Sequence, residues 1–141
     1  MGMWSHQVTA LALIGLGVVA LPACRTRVSG SGRPYPMELT QTETLNIQVV
    51  RDSTQIRVTN TTARSIGTST LWINGSFSRL IEGIEIGETV TLSLKEFRNE
   101  YNEQFRAGGF FATERPERLV QAQLETEGRM LGLVVVRPPR Q

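Results

Sequence analysis

The chain has 141 residues, with 15 basic and 13 acidic side chains, one histidine and one cysteine. A single cysteine excludes an intrachain disulfide, and one cysteine with one histidine cannot build the structural zinc sites that need several such ligands. The formal charge of +2 and the isoelectric point near 9.2 suggest a basic protein, yet the excess sits outside the body of the chain. Arg25, Arg27 and Arg33 contribute +3, residues 38–136 hold 13 acids against 10 bases, and Arg137 and Arg140 add +2. A mildly acidic body offers no basic face for nucleic acid, so no nucleic-acid partner is expected.

From Val8 to Ala23 run sixteen residues without a charge. A spanning helix needs about 20 apolar residues, so a permanent transmembrane anchor is the weaker reading. A secretory signal combines a short polar start, an apolar centre of about 7 to 15 residues and small residues at the cut. MGMWSHQ, TALALIGLGVVAL and PAC follow that plan, although the start carries only His6 and the terminal amine rather than lysine or arginine. Met1-Gly2 does not begin a myristoylation motif, because His6 stands where that motif needs serine or threonine.

At Leu21-Pro22-Ala23-Cys24 the segment resembles the lipobox of bacterial lipoproteins, with Leu21, Ala23 and Cys24 matching and Pro22 standing where alanine or serine is usual. The resemblance implies cleavage between Ala23 and Cys24, a thioether-linked diacylglycerol on Cys24, and a further acyl chain such as palmitate on the new amino terminus. Two or more acyl chains give stable anchoring. The expected location is the cell envelope, on the outer membrane if the organism has one. A residues 1–23 signal peptide would also remove His6, leaving no imidazole base for serine or cysteine hydrolase chemistry and no zinc ligands. No metal and no cofactor is expected.

Residues 24–43, rich in Gly, Ser, Pro and Arg, read as a flexible lipid-attached tether that holds a domain on the order of 25 Å from its anchor. Residues 44–137 suffice for one small domain, and 138–141 read as a disordered tail.

Period-two alternation dominates this domain. Leu45-Asn46-Ile47-Gln48-Val49 and Ile56-Arg57-Val58-Thr59 predict two strands of a hairpin. Thr70 to Ile73 predicts a third, followed by Asn74-Gly75, a dipeptide that favours tight hairpin turns, and by a strand carrying Phe77, Leu80 and Ile81. Ile84 and Ile86, then Val90, Leu92 and Leu94, alternate around a turn at Gly87. Ser93-x-x-Glu96 has the spacing of a capping box, and Phe97, Tyr101 and Phe105 recur every fourth residue, predicting one short helix near residues 94–106 that ends at Gly108-Gly109. Val120, Ala122 and Leu124 alternate again, Glu127-Gly128 makes a turn, and Met130 to Val136 is apolar on both faces, as in a central strand. The expected fold is mainly β, a small antiparallel β-sandwich.

The run Val58-Thr59-Asn60-Thr61-Thr62 and the later Ile84-Glu85-Ile86-Gly87-Glu88-Thr89-Val90 resemble the immunoglobulin-like and fibronectin-III-like accessory sandwiches of exported bacterial proteins. That resemblance implies a domain that binds, spaces or assembles, although a fold alone assigns no function.

Aromatic side chains at strand spacing are usually core. Trp72, Gly108, Gly109, Phe110 and Phe111 are nonetheless the residues put forward for partner binding, because the glycines give the aromatic pair a loop of its own. Glu96, Glu100 and Glu103 would share part of a helix surface and read as a solvated face. Asn60-Thr61-Thr62 and Asn74-Gly75-Ser76 match the glycosylation sequon, which a bacterial lipoprotein does not normally present to that machinery. Two functions stay open on these grounds. One is a non-enzymatic lipoprotein that binds an envelope protein or polymer; the other is a small envelope hydrolase or lyase using carboxylates, Tyr35, Tyr101, Arg or Lys95.

Overall fold

A computed structural model describes Met1 and residues 32–137. Residues 2–23 of the expected signal peptide, the cleavage pair Ala23-Cys24, the first part of the expected tether, 24–31, and the tail 138–141 lie outside the described residues.

Among the described residues seven strands form: β1 (Gln41–Asp52), β2 (Gln55–Asn60), β3 (Ser69–Ile73), β4 (Phe77–Ile81), β5 (Thr89–Ser93), β6 (Ala122–Thr126) and β7 (Arg129–Val136). They build one mixed sheet in the order β4-β3-β6-β7-β1-β2-β5. The protein is mainly β, as its alternation predicts. Five of the six pairings are antiparallel, but β1 and β7 run parallel, from Gln41 opposite Met130 to Val50 opposite Val136. The expectation of purely antiparallel strands is corrected by this pairing. Hairpin turns specify only neighbours in sequence, whereas the parallel contact joins the first and last strands.

The tight turns have the chemistry they need. Asn74 and Gly75 sit at φ of +52° and +62°, and Glu127 and Gly128 at +49° and +70°. Two successive left-handed residues make the turn whose twist matches that of paired strands.

Alternation decides which face is dry. Leu45, Ile47 and Val49 of β1, Ile56 and Val58 of β2, Leu71 and Ile73 of β3, and Leu131 and Leu133 of β7 enter one apolar cluster. Ile81 from one edge of the sheet and Leu92 from the other join it, so the sheet curls around its inner face. β7 lies at the middle of the seven strands; Leu131 and Leu133 enter the core, while on its other face Met130 is buried and Val134 and Val136 stay exposed.

The inner face is closed by the long connection between β5 and β6, which sends in Leu94, Phe97, Phe105, Ala107 and Leu119. The helix expected over 94–106 is not there. A single 3-10 turn, Leu94–Glu96, occupies its start, and Ser93 makes no capping hydrogen bond. Asn99 supplies the reason. Its Oδ1 accepts from the amides of Tyr101 at 3.1 Å and Glu103 at 2.8 Å, and its backbone accepts from Asn102 at 2.9 Å. Short polar side chains compete in this way with helical hydrogen bonds. The chain doubles back, the Phe105 amide bonds the Phe97 carbonyl at 3.1 Å, and both rings are buried while Tyr101 stays 76% exposed.

Residues 33–41 are also not a free tether. They cross the outer face as a strap over Trp72, whose ring meets Tyr35 edge-on at 5.2 Å and the Arg33 guanidinium at 5.3 Å. Tyr35 donates to Gln123 Oε1 at 2.8 Å, and Gln41 joins both β1 and the Gln123 amide. The ordered body therefore reaches back from residue 44 to about Arg33, because three side chains of the strap find partners roughly 80 to 90 positions away.

Candidate contact surface

Strand register assigns each loop to one of two ends of the sheet. β1 starts beside Met130 and ends beside Val136, and β3 starts beside Glu125 and ends beside Ala122. The first end therefore gathers the β6–β7 turn and the segments 61–68 and 82–88. The opposite end gathers the β1–β2 turn, the β3–β4 turn, the connection 94–121 and Arg137.

At this second end the partner-binding residues separate. Phe110 and Phe111 are 95% and 91% exposed, packed only edge-on against each other at 5.0 Å. Gly108 and Gly109 carry φ of +80° and +123°. A Cβ on Gly108 would stand 2.9 Å from the Pro116 ring, and one on Gly109 would stand 3.4 Å from Thr54, so the loop is folded against Pro116 and against the β1–β2 turn. Trp72 does not join them. It is fully buried on the outer face, and its indole N–H donates to Glu125 Oε2 at 2.7 Å. Its expected contact role is corrected to a structural one, since a strand side chain on a strapped face meets no partner.

The loop is held from beneath by Arg51, the penultimate residue of β1. Its guanidinium donates to the carbonyls of Ala107 at 2.7 Å, of Ser53 at 3.0 Å, and of Glu117, and lies 5.7 Å from the Phe105 ring. Burial pulls the Arg51 pKa below its ordinary value, and the nearby Glu117 carboxylate opposes that shift. Asn74 holds the other flank: its Oδ1 accepts from the Val120 amide at 2.9 Å and its Nδ2 donates to the Arg118 carbonyl at 2.7 Å.

Beside the loop opens a cleft of about 280 Å³ lined by Arg51, Ser53, Arg118, Leu119, Val135, Val136 and Arg137. Its lining joins apolar Leu119, Val135 and Val136 to three arginines and includes no carboxylate. A second cleft of about 380 Å³, between Phe77, Glu103, Gln104, Arg106, Glu114 and Glu117, is of mixed charge. Reading the sequence missed the basic cleft. Arg51, Arg118 and Arg137 are far apart along the chain; the β1–β7 pairing brings Arg51 beside Arg137, and the hydrogen bonds of Arg51 to Glu117 and of Asn74 to Arg118 bring in the third. The one local signal was two charged residues, Arg51-Asp52, ending an otherwise apolar alternation.

The acidic residues of the expected helix face disperse. Glu96 pairs with Arg79 at 2.5 Å, Glu103 accepts from Asn99 at 2.7 Å, and Glu100 is exposed. Tyr35 lies in the strap, against Trp72, and Tyr101 on the far connection. Among the described residues no group of three acidic, histidine or cysteine side chains converges as a metal site, and no helix is long and apolar enough to cross a membrane. Known protein families, curated proteins and solved structures contain no match to this chain.

Proposed function

We propose that the chain is a membrane-anchored lipoprotein of the bacterial cell envelope, held by lipid on Cys24, whose β-domain is a non-enzymatic binding or assembly module. The observation that carries this reading is the cysteine itself. It ends a sixteen-residue uncharged run, follows Leu21-Pro22-Ala23, and is succeeded by a polar, basic segment. The Phe110-Phe111 pair supports the second half, because two adjacent rings left almost wholly in water, on a loop fixed by Arg51 and Asn74, are poised to lose that exposure on contact. The test is detergent phase partitioning of Cys24→Ser beside the parent chain. The parent should enter the detergent phase and the variant leave it; equal partitioning of the two with unchanged mobility would overturn the anchor.

A further inference from the structure

We infer that the end of the sheet carrying Phe110, Phe111 and the Arg51-Arg118-Arg137 cleft is a membrane-contact surface that docks on anionic lipid headgroups. The inference rests on the lipoprotein reading and names what its contact surface touches.

Three observations converge on that surface. The first is the union of an apolar wedge with a basic cleft. Arg51 joins them physically, since it bonds the carbonyls of Ala107 and Glu117 that flank the Phe110-Phe111 loop and also lines the cleft. Aromatic rings settle in the interfacial layer of a bilayer while guanidinium groups meet its phosphates. Leu119, Val135 and Val136 give the cleft an apolar lining suited to the glycerol and upper acyl region below a headgroup. Arg118 and Arg137 are exposed, and among the described residues neither pairs with a carboxylate.

The second is charge asymmetry. The opposite end of the sheet holds Glu43, Glu82, Glu85, Glu88 and Glu127 against Arg64 and Arg129, an excess of three carboxylates that an anionic surface repels, whereas the docking end sets seven basic side chains against six carboxylates. The two ends thus favour one orientation. Arginines near such a surface each contribute roughly a fivefold gain in partitioning.

The third is reach. Arg33, where the strap is first held by Glu125, lies nine positions after Cys24. That length spans at most about 30 Å. Arg33 is held by Thr70 and Glu125 at the opposite end of the sheet, and a domain of this size is itself about that wide, so the wedge meets the lipid with the tether nearly extended along the domain.

The experiment uses the mature protein in vesicles, with Phe111→Trp as a reporter and the parent chain as the background for the buried Trp72. Quenching of the added indole by brominated lipid is compared in phosphatidylglycerol-containing and pure phosphatidylcholine vesicles. The expected result is strong quenching and a blue-shifted emission only with phosphatidylglycerol, lost on adding Arg118→Ala and Arg137→Ala. Phe110→Ala should weaken partitioning of the unacylated Cys24→Ser chain roughly tenfold. Absence of quenching in phosphatidylglycerol, equal quenching in both lipids, or shielding of the indole only when an envelope protein is added would each overturn the inference. Quenching of the unacylated chain tests docking without the anchor, and detergent partitioning of the parent tests the anchor without docking, so the two readings fail separately.

Discussion

Trp72 and Arg33 share one acceptor, the Oε2 of Glu125, with the indole N–H donating to it at 2.7 Å and the guanidinium pairing with it from the strap. Through that oxygen the segment that follows the expected lipid site is fastened to the middle of the sheet. Glu125 is largely covered, whereas Arg33 is 45% exposed. Glu125→Ala therefore leaves a buried indole N–H unpaired and should cost about 2 to 3 kcal/mol, measured by urea unfolding, with a red-shifted tryptophan emission. Arg33→Ala should cost less than about 1 kcal/mol, because a half-exposed ion pair is screened by water. Equal losses would mean that the strap, and not the buried hydrogen bond, dominates.

The connection from β5 to β6 should respond in a way that a helix would not. Phe97→Ala and Phe105→Ala each remove a fully buried ring and should cost about 3 to 5 kcal/mol. Tyr101→Ala, at a position 76% exposed, should change stability by less than about 0.5 kcal/mol. Thermal unfolding of the three variants checks this, and similar losses at all three positions would favour the amphipathic helix over the observed fold-back.

Asn60 is fully buried at the end of β2 and uses its whole side chain. Its Nδ2 donates to the carbonyls of Arg64 at 2.9 Å and Ile84 at 3.1 Å, and its Oδ1 accepts from the Thr62 amide at 3.0 Å and hydroxyl at 2.7 Å. Asn60→Ala should cost about 3 kcal/mol. Asn60→Asp should cost at least as much, since a carboxylate would face two carbonyls without a donor. The measurement is the denaturation midpoint at neutral pH, and an aspartate variant as stable as the parent would sink the assignment.

Arg51 serves three carbonyls at once, which a planar guanidinium with five donors can do and a lysine ammonium cannot. Arg51→Lys should keep the charge but loosen the loop, speeding amide hydrogen exchange across 107–117 roughly tenfold or more while the centres of β1 and β7 remain protected. Unchanged exchange in the loop would show that Gly108 packing on Pro116, rather than Arg51, sets its shape.

Much of the sheet was legible because it depends on near neighbours. The alternation in β1 and β2, the Asn74-Gly75 and Glu127-Gly128 turns and the two-faced apolarity of β7 all act within a few residues, and all are present. What stayed hidden depends on distant partners. Nothing around Arg33 or Tyr35 announces Glu125 or Gln123, and the parallel pairing of β1 with β7 has no turn to mark it. The spacing of Phe97, Tyr101 and Phe105 does fit a helix, but Asn99 diverts the backbone bonds that a helix requires. At the contact loop the glycines and the phenylalanine pair were readable, whereas the basic cleft beside them was not, because it is assembled from three separate segments.

The central claim is the lipid on Cys24, and intact mass spectrometry of the mature protein from membranes tests it most directly. The account predicts a chain that begins at Cys24 and carries the mass of a diacylglycerol with a further acyl group. A chain that still begins at Met1, or one that begins elsewhere with a free Cys24 thiol, would contradict it.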